Sequence, residues 1–555
     1  MLSSLSSSSS SSSGNDTRYN NENKEGAPTL ASYLDSISSW TKTSRSQQHQ
    51  LEEGTMENIT TTTSNNNLHF ILGNEAGDAD SIISALTHGY VMTLEDHYFY
   101  ANNGENGNQN NNRMNMLPRN VVPIASVHRA DLPLRRDVLL LLELSGFNIQ
   151  QLPCLDDESI VSYLAEPTGR GVAISLVDHN RIRSSLSHLS ELVVEILDHH
   201  EDEGYHLDTT TTATTTTTTT TDVPNRRVIA FEHGRATVAS TCTLVVERLF
   251  GLLATNNKKK KIDSVSATTM KVDGSLGLLL LGVILLDTIN MSSTAGRGTL
   301  RDAQAIAMLL EHTDWCSLNS QQHHRESSTT KQTMGENEDA PHAVLRRKIF
   351  PNNSSSNDAG APNTTALFEA LSNSRSDKKF WMEASISDCL RMDYKKFMVP
   401  SSSSQLSSSS QSISSIGLST VLISMDDFIS KDNFLGELST YVTSCDVELF
   451  GVLTLELREH DDGGTTAIRG LLIASFHREI VDTYTAFLMN GREAAFLELV
   501  ECSATTTTLE GKSDDGSKLI HVCIFKQENA RMGRKQIAPI LLGCANLGMG
   551  GTPRL

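Results

Sequence analysis

Paired cysteines and aromatic residues are both scarce in this chain of 555 residues. Its 8 cysteines include no CxxC pair, and Cys242, Cys445 and Cys523 lie in apolar or loop settings. This pattern is typical of reduced thiols in an intracellular protein and argues against a disulfide framework. Aromatic residues make up 5% of the chain and hydrophobic residues 38%, because polar low-complexity tracts dilute the folded parts.

Long apolar runs are also missing. The longest, residues 276–286, is too short to span a bilayer as a helix. The serine-rich start has no charged segment and no long apolar core, so it does not resemble a secretory signal. An organelle transit segment is a weak alternative, because the first basic residue is Arg18. We therefore expect a soluble, cytoplasmic protein that does not bind a membrane.

Basic residues are also few relative to acidic residues. The chain has 66 acidic and 46 basic residues, which gives a formal net charge of −20. Taken over the whole surface, this charge argues against nucleic acid, or any other polyanion, as a partner. A local basic pocket can override the net charge, so a polyanionic substrate requires that such a pocket be found.

Low-complexity tracts divide the chain into parts. The predicted units, in order, are a disordered tail (1–66, with one short helix at 29–41), a first domain (67–316), a disordered linker (317–362) and a second domain (363–555). The tail is expected to end in a polar linker, residues 43–66. Three further tracts are predicted to be surface insertions that lengthen loops: 102–115, 209–221 and 401–415.

Alternating strands and helices predict an α/β fold with a parallel sheet for the first domain. The predicted strands lie at 70–72, 121–125, 172–177, 192–197 and 227–231, and the helices at 81–94, 134–144, 236–250 and 275–286. The second domain is predicted to be a smaller α/β domain with a mixed sheet. Its predicted strands lie at 419–423, 448–456, 470–474, 496–500 and 519–524, and its helices at 366–371, 382–390, 426–442, 478–490 and from about 536 onward.

The stretch LHFILGNEAGDADSIISA, residues 68–85, places two carboxylates where a strand gives way to a helix. After an apolar run and a Gly-Asn turn signal, Asp78 and Asp80 stand directly before the predicted helix. In open α/β sheets, ligands bind in the crevice outside the carboxyl ends of the strands. A bound cation would explain acids at this place. The alternative is that Asp80 or Ser81 simply caps the helix.

Three further apolar segments end in acidic or imidazole side chains. They are followed by Asp178-His179-Asn180, by Asp198-His199-His200 and by Asp287. Taken singly, each has an ordinary alternative: a turn, a solvated loop or a helix cap. Parallel strands that end at one sheet edge would bring these groups together, and carboxylates with imidazoles are the ligand set of a dinuclear metal site. Oxygen-rich ligation suits Mg²⁺ or Mn²⁺, and no cysteine falls among the motifs to favour Zn²⁺ with thiolate.

Four motifs carry a family resemblance: GNEAGDADS, VDHN, LDHHEDEG and LLDTINM. They resemble the motifs of the DHH phosphoesterase superfamily, and within it the chain is similar to the fungal-type cytosolic exopolyphosphatases. Prune-type proteins and manganese-dependent inorganic pyrophosphatases are the related branches. The resemblance covers about 68–312, including PIASVHRADLPLRRD at 123–137, and it extends to the second domain at 392–395 and 533–536.

The resemblance implies two divalent metal ions, Mg²⁺ or Mn²⁺, and a ligand set. Asp78 would bind one metal and Asp80 the other. Asp178 would bridge the two ions. His199 and Asp287 would complete the second metal site.

Roles for the remaining polar residues are also implied by the resemblance. His200 would face the phosphate, and Asp198 would orient the imidazoles, with His179 behind the metal ligands. The manganese pyrophosphatases have a histidine at the position of Asn74, so asparagine favours the exopolyphosphatase branch. Prune-type relatives often lack the second histidine of the third motif, which this chain keeps as His200.

Basic residues that could bind a polyanion occur in the second domain. Lys395 follows a predicted helix in an Asp-x-Lys turn, and Arg531, Arg534 and Lys535 cluster in ARMGRKQ before the last helix. Such groups match phosphate oxygens and stabilise charge on a transferred phosphoryl group. The alternative is a solvated basic helix start, and Gly533 replaces a serine that family members commonly have. Weaker candidates are Arg129, Arg135 and Arg136, the last two of which could instead pair with Asp131 and Asp137.

These features predict a metal-dependent exopolyphosphatase that hydrolyses the terminal phosphoanhydride bond of inorganic polyphosphate and releases orthophosphate. The expected catalytic residues are Asp178, His200, Lys395, Arg534 and Lys535. The expected substrate-binding residues are Asn74, His179, His200, Lys395, Arg531, Arg534 and Lys535. The protein is expected to act as a monomer. The alternatives are an inorganic pyrophosphatase, a prune-like enzyme acting on short polyphosphates or cyclic nucleotides, and a weakly catalytic interaction scaffold.

Overall fold

A computed structural model provides the structure of the chain. It describes residues 27–52, 68–103, 119–167, 171–207, 226–263, 271–318, 341–351, 360–399, 413–459, 465–492, 494–502, 511–512 and 519–547. Several sequence predictions lie outside these residues: the tail at 1–26, most of the insertion at 102–115, the tract at 209–221, most of the tract at 401–415, and much of the linkers at 43–66 and 317–362.

The first domain is organised around a five-stranded sheet. Its strands are β1 (Leu68–Leu72), β2 (Asn120–Ile124), β3 (Val172–Val177), β4 (Val193–Asp198) and β5 (Arg226–Ile229). Their order is β2-β1-β3-β4-β5 and every neighbouring pair is parallel, which confirms the predicted parallel sheet. The strand order reverses between β1 and β3, and a ligand crevice is expected outside the carboxyl ends of strands at such a point.

Helices pack around this sheet. They are α1 (Leu30–Glu52), α2 (Ala79–Asn103), α3 (Arg136–Leu144), α4 (Glu158–Ala165), α5 (Thr241–Asp263), α6 (Gly274–Thr288), α7 (Leu300–His312), α8 (Pro341–Ile349) and α9 (Thr364–Arg375). Shorter 3₁₀ helices lie at Arg129–Leu134, Ile149–Gln151 and Ser184–Leu192, and β6 (Phe231–Glu232) pairs with β7 (Arg235–Ala236). The apolar helix α6 is buried along almost its whole length, as expected for a central core helix. Within the described residues, no helix is both long and apolar enough to cross a bilayer.

Several helices in this half depart from their predicted bounds. Helix α1 continues to Glu52, so the polar linker predicted from residue 43 is wrong for its first part. Tyr33 and Leu34 dock α1 on the core as predicted, and the Tyr33 hydroxyl donates to the Val121 carbonyl at 3.2 Å. Extending an existing helix through residues of good helix propensity costs little, which explains the extra turns.

Other differences have local causes. Helix α5 begins at Thr241 rather than at residue 236, because Arg235–Ala236 pairs with β6. Helix α3 begins at Arg136, after a separate 3₁₀ helix that ends at Leu134. The short α4 and the amphipathic α7 were not predicted.

The predicted disordered linker, 317–362, is wrong at α8. This helix lies inside that range, and Ile349 and Phe350 at its end are buried in the first core. Helix α9, predicted within the second domain, also packs on the first core, where Leu367 and Leu371 are fully buried. Helix α8 was not predicted because its few apolar residues, in AVLRRKIF, lie within a long polar stretch of the sequence.

The second domain contains a seven-stranded sheet. Its strands are β8 (Lys395–Met398), β9 (Ser415–Val421), β10 (Leu449–Glu459), β11 (Thr465–Ser475), β12 (Leu499–Glu501), β13 (Gly511–Lys512) and β14 (Leu519–Gln527). The order is β12-β14-β11-β10-β9-β8, and β13 pairs with β14. The β9–β10 pair is parallel and the others are antiparallel, which confirms the predicted mixed sheet.

Two hydrophobic clusters cover the two faces of this sheet. Its helices are α10 (Lys378–Glu383), α11 (Ile386–Arg391), α12 (Met425–Ile429), α13 (Phe434–Cys445), α14 (Arg478–Asn490) and α15 (Arg534–Leu547). The helix predicted at 382–390 is broken, because Ser385 caps α11 by accepting a hydrogen bond from Asp388 N at 3.0 Å. The helix predicted at 426–442 is also two helices, and Asn433 between them has a φ of +50°. The strand predicted at 496–500 is a 3₁₀ turn followed by β12.

The two domains meet through the PIASVHRADLPLRRD segment. Arg391 of α11 forms an ion pair with Asp131 at 3.0 Å. The guanidinium of Arg136 lies 5.3 Å from the ring centre of Phe380. Leu134 packs against the second domain's hydrophobic cluster. This segment therefore joins the domains, rather than supplying cations that are free to bind a ligand.

A core substitution tests whether α9 belongs to the first domain. A methyl group on Gly282 of α6 would lie 2.7 Å from Leu141 Cδ1 and 3.1 Å from Leu371 Cδ1, so the three helices pack without spare room. Leu371→Ala is expected to lower the free energy of unfolding by roughly 2–5 kcal/mol, measured by chemical denaturation. The control is Leu300→Ala, at a leucine that is 74% exposed. Equal stability of the two variants would mean that α9 does not pack in this core.

Candidate active site

The site is built where β1, β3 and β4 end. Because Leu72 pairs with Leu176 and Val177 with Leu197, the residues after these strands are neighbours at one edge of the sheet. The Asp178 amide donates to the Leu197 carbonyl at 3.0 Å, which joins the second motif to the third. The predicted convergence of strand ends is therefore present in the fold.

Asp178 lies at the centre of this edge. It is 2% exposed, and its φ of +63° is unusual for a residue other than glycine. Its carboxylate accepts hydrogen bonds from Asn74 Nδ2 at 2.5 Å and from Thr241 Oγ1 at 3.3 Å. The same carboxylate lies 3.4 Å from His199 Nε2. The first motif, the third motif and the start of α5 thus all contact this one carboxylate of the second motif.

Negative charge is concentrated around Asp178. Burial, with the nearby carboxylates of Asp80 and Asp78, raises the pKa of Asp178 to about 8. Burial and the same two carboxylates also raise the pKa of Asp287 well above its ordinary value. Like charges in a poorly solvated site oppose each other's ionisation. A bound cation would offset this repulsion.

His199 is held with one nitrogen turned toward these acids. Its Nδ1 donates to the Val238 carbonyl at 3.1 Å, so Nε2 is the nitrogen that faces Asp178 and lies 3.9 Å from Asp80 Oδ2. Burial alone would lower the pKa of His199, but the bond to Asp178 and the charge of Asp80 outweigh it and raise the pKa to about 9. The environment therefore stabilises a positive charge at Nε2, whether a proton or a metal ion.

Asp80 has a structural role in addition to its position in the site. Its carboxylate accepts hydrogen bonds from Ser240 Oγ at 2.7 Å, Thr241 N at 2.7 Å and Cys242 N at 3.0 Å. These donors form the amino end of α5, which favours a negative charge. Asp80 therefore does cap a helix, but that helix is α5, whereas the capping alternative concerned α2, the helix that contains Asp80.

Asp78 and Asp287 stand at the two helix ends nearest the cluster. Asp78 precedes α2 and accepts a hydrogen bond from Ser81 N at 3.0 Å, so it caps that helix. Asp287 lies inside the last turn of α6 and is not a cap at its start. The Asp287 Oδ2 atom is buried and has no hydrogen-bond partner among the described residues. An orphaned carboxylate oxygen beside other acids is consistent with a cation ligand.

Asp198 organises the third motif. It is fully buried, and its Oδ1 accepts hydrogen bonds from His199 N at 2.7 Å, His200 N at 3.1 Å and His200 Nδ1 at 2.8 Å. The Asn180 amide donates to its other oxygen at 2.6 Å. His179 turns its Nδ1 to the Val177 carbonyl at 2.9 Å, and burial lowers its pKa to about 4. These contacts fix the orientation of the His200 and His179 rings.

Three of the four predicted cations of the second domain act on the acid and imidazole cluster through their charges: Lys395, Arg534 and Lys535. Lys395 is the first residue of β8 rather than part of a turn, and its charge contributes to holding the pKa of Asp78 below its ordinary value, against burial. The charge of Lys535 acts on both His199 and His200. Neither lysine forms an ion pair or a side-chain hydrogen bond with another described residue.

Arg534 and Arg531 differ from the lysines. The Arg534 guanidinium is anchored by Asp393, with Nη1 at 2.8 Å from the carboxylate and 2.5 Å from the backbone carbonyl. Arg531 is exposed on the loop before α15 and forms no ion pair with a described residue. The solvated alternative therefore fits Arg531 better than Arg534, whose position is fixed within the second domain.

Two arginines have roles that the motifs did not indicate. Burial lowers the pKa of Arg375, the last residue of α9, but nearby acids outweigh it and raise the pKa; the largest contributions are from Asp137 and Asp393, and smaller ones are from Asp78 and Asp287. Arg135 is 5% exposed and donates to the carbonyls of Gly77 at 2.7 Å and Ala76 at 2.8 Å. It therefore supports the first motif and does not pair with its neighbouring acids. No local sequence signal marks either role.

The weaker basic candidates have partners in the structure. Arg129 forms an ion pair with Asp157 at 2.6 Å. Arg136 stacks on Phe380. Neither guanidinium is therefore placed to bind a substrate in the cleft.

Three of the side chains in this cluster are close enough together to bind one metal ion. Ligand atoms of Asp178, His199 and His200 all lie within 4.8 Å of one another. Among the described residues, this tightest group does not include Asp78, Asp80 or Asp287, which act on it through their charges. Carboxylate and imidazole donors of this kind fit a divalent cation such as Mn²⁺ or Mg²⁺.

Comparison with known protein families identifies the second domain. Residues 375–544 match the DHHA2 domain. This match covers most of the second domain, which carries the cations that act on the acid cluster.

Individual relatives are distant. Exopolyphosphatase PRUNE1 from Rattus norvegicus is 26% identical over 246 residues, which cover 44% of this chain and 40% of that protein. A Schizosaccharomyces pombe protein with a provisional assignment as an exopolyphosphatase is 27% identical over 237 residues, 42% of this chain and 49% of its own length. The chain thus matches less than half the length of these curated relatives.

Comparison with solved structures also gives a match over most of the chain. A Methanococcus jannaschii protein, provisionally assigned as a family II inorganic pyrophosphatase, has a TM-score of 0.43 and 15% identity. The match covers 86% of this chain and 99% of that one.

The support that Arg135 gives to the first motif can be tested by substitution. Arg135→Met removes both charged hydrogen bonds to the 76–77 backbone and should lower the free energy of unfolding by about 1.5–3 kcal/mol, measured by chemical denaturation. Arg135→Lys keeps the charge but cannot bind both carbonyls, so it should recover little stability. Arg478→Met, at a side chain that is 57% exposed, is the control. Parental stability in both Arg135 variants would show that the motif does not depend on this residue.

Proposed function

We propose that this protein is a metal-dependent exopolyphosphatase, which hydrolyses the terminal phosphoanhydride bond of linear inorganic polyphosphate and releases orthophosphate. One observation carries the proposal: a cluster of buried acids and imidazoles in the DHH domain faces lysines of the DHHA2 domain that have no acidic partner. A cleft with cation-binding ligands on one side and free cations on the other suits a phosphoanhydride. The names of the distant relatives agree with this substrate class.

The metal ligands in this proposal are the acids and the imidazole at the sheet edge. Asp78, Asp80, Asp178, His199 and Asp287 would hold two divalent ions, Mg²⁺ or Mn²⁺. Such ions lower the pKa of a water molecule and offset charge on the attacked phosphoryl group. The chain's own contribution is to hold these ligands rigidly, through Asn74, Val238 and the amino end of α5.

The phosphate would be bound between the two domains. Because Asp198 accepts the Nδ1 proton of His200, His200 Nε2 is the nitrogen left for a phosphate oxygen or its proton. Lys395, Lys535 and Arg534 would neutralise charge on the transferred group and on the leaving polyphosphate. Arg534 is already fixed by Asp393, so less conformational entropy is lost when it binds an anion.

The alternatives differ in substrate. Pyrophosphate, short polyphosphates and cyclic nucleotides would use the same metal ligands, and an interaction scaffold would not need them. Asn74 binds Asp178 through an amide and offers no imidazole to a metal, which favours the exopolyphosphatase. Phosphate release should therefore be measured with long-chain polyphosphate, pyrophosphate and a cyclic nucleotide, each with Mg²⁺, Mn²⁺ and chelator. Turnover of pyrophosphate alone would contradict the proposal.

Asp178→Asn is expected to abolish nearly all phosphate release while the protein stays folded. Asparagine tolerates the left-handed φ of this position, so the backbone should be retained. The lost negative charge should also lower the Mn²⁺ content of the purified protein. Circular dichroism checks the fold, and Asp482→Asn on the surface is the control. A folded Asp178→Asn protein with parental turnover would rule out the proposed metal site.

Lys535→Ala is expected to lower kcat/KM for polyphosphate about ten- to a hundredfold, since a hydrogen bond to a charged group contributes roughly 1.5–3 kcal/mol. Its stability should be parental, because Lys535 has no ion pair to lose among the described residues. Arg534→Ala should lose a similar amount of activity and also some stability, because Asp393 loses its partner. Metal content should match the parent in both.

The control for these two variants is Lys379→Ala, at an exposed lysine of the same domain. If Lys535→Ala and Arg534→Ala both keep the parental kcat/KM, the basic helix start is a solvated surface and does not bind phosphate.

A further inference from the structure

We propose that Asp302 of α7 is a positioning residue for the metal ligands. It holds the 237–243 segment, which contacts those ligands, and thereby sets the affinity of the site for a divalent ion. The inference rests on the metal site of the proposed function. Asp302 belongs to none of the sequence motifs, and within the described residues it forms no hydrogen bond or ion pair with a proposed ligand.

The 237–243 segment, which leads into α5, is a common support of three proposed ligands. The Val238 carbonyl accepts the Nδ1 proton of His199 at 3.1 Å. Two backbone amides and a serine hydroxyl of the segment donate to Asp80, at 2.7–3.0 Å. A threonine hydroxyl of the same turn donates to Asp178 at 3.3 Å. The positions of these ligands therefore depend on where the segment lies.

Asp302 holds the middle of this segment. Both of its carboxylate oxygens accept a hydrogen bond from the Ala239 amide, at 3.1 Å and 3.0 Å. Its Oδ1 also accepts from Thr243 Oγ1 at 2.6 Å. Ala239 lies between the residue that contacts His199 and the residues that contact Asp80. A change at Asp302 should therefore shift the supports of both ligands together.

The start of the segment and Asp302 itself are also fixed. Arg301 Nη1 donates to Thr237 Oγ1 at 2.8 Å, and the same guanidinium pairs with Glu247 of α5 at 2.6 Å. The Oδ2 atom of Asp302 accepts from the amide and the hydroxyl of Thr299, both at 2.8 Å, in a capping box at the start of α7. Helix α7 thus holds the segment at two places.

The burial of Asp302 indicates more than a helix cap. Its side chain is fully buried, and it forms no ion pair with another residue that the structure describes. A buried carboxylate without a basic partner is costly. Helices α9 and α11 are capped by Asn363 and Ser385, which are uncharged and exposed. At Asp302, only a carboxylate can accept hydrogen bonds from donors on both sides, because an amide would turn its own NH₂ group toward one of them.

This arrangement should affect the binding of metal more than the binding of phosphate. Groups that orient metal ligands from behind typically change metal affinity about ten- to a hundredfold when they are replaced. Lys395 and Lys535, which would bind phosphate, lie in the second domain and do not contact α7 through any hydrogen bond or ion pair of the described residues. We therefore expect a weaker metal site with an unchanged phosphate site.

The test measures Mn²⁺ binding to the full chain after chelator treatment, by isothermal titration calorimetry. Asp302→Ala should raise Kd for Mn²⁺ about ten- to a hundredfold. Asp302→Asn should have an intermediate effect, because its one carbonyl oxygen can still accept from one side. Once Mn²⁺ is saturating, KM for long-chain polyphosphate should be parental in both variants.

A milder variant acts on the same contact from the other side. Thr243→Val removes one donor to Asp302 and leaves the cap of α7 intact. It should raise Kd for Mn²⁺ about two- to tenfold, as expected for one hydrogen bond. This variant and Asp302→Asn keep the inference testable if Asp302→Ala does not fold.

Two controls separate positioning from loss of stability. Asp273→Ala removes the cap of α6, where the carboxylate accepts hydrogen bonds from two backbone amides at 2.9 Å and 3.1 Å. Thr299→Ala weakens the cap of α7 but leaves the contacts from Asp302 to the 237–243 segment in place. Both controls should lower the free energy of unfolding, measured by chemical denaturation, and keep the parental Kd for Mn²⁺.

The outcomes also distinguish this inference from the proposed function. A parental Kd for Mn²⁺ in folded Asp302→Asn and Thr243→Val, or an equal rise in the two controls, would overturn the positioning role, as would a parent that binds no Mn²⁺. A parent that binds Mn²⁺ but releases no phosphate from any polyphosphate would refute only the proposed function. The Mn²⁺ affinities of the variants would then still decide the role of Asp302.

Discussion

The confinement of several carboxylates in one poorly solvated place is the constraint on which the rest of the structure depends. Asp178 and Asp287 have raised pKa values because they are buried near Asp80 and Asp78. Charges held this close in a low dielectric are costly unless something opposite in sign is near. The first domain supplies part of that compensation itself, through the amino end of α5 at Asp80 and the imidazole of His199. The remainder calls for cations, and Lys395, Arg534 and Lys535 of the second domain act on this cluster.

The DHHA2 domain supplies the missing positive charge, and each domain is electrostatically incomplete without the other. Lys395 and Arg534 act on Asp78, and Lys535 acts on His199. Lys395 lies on β8, and Arg534 and Lys535 lie at the start of α15, so regular secondary structure positions their backbones. The domains are joined through the ion pair of Asp131 with Arg391. A phosphoanhydride in the cleft would therefore meet ligands and cations that were placed before it arrived.

Local sequence patterns predicted the residues at the centre of the site. The role of Arg135 and the bounds of several helices depend on tertiary contacts, which local patterns do not show. Apolar runs that end in Asp178 and in Asp198-His199 marked strand ends, and parallel strands bring such ends together. The role of Arg135 could not be predicted, because its partners are backbone carbonyls on a different motif. Helix α8 was missed because its short apolar pattern lies in a long polar stretch. The break before α13 depends on a single left-handed residue, Asn433, which local propensity does not specify.

A net charge of −20 does not by itself exclude a polyanionic substrate. Which basic side chains are neutralised by ion pairs matters more than the net charge of the chain. Away from the cleft, arginines are neutralised by acids: Arg119 by Asp96, Arg248 by Glu95 and Glu195, and Arg301 by Glu247. In the described part of the chain, Lys395, Lys535, Arg297 and Arg469 have no such partner. Exposed charges beyond about 8 Å are largely screened at physiological salt, so distant acids have little effect on an anion inside the cleft. Acids therefore neutralise these three arginines, while the two lysines that act on the cluster keep their charge available to an anion.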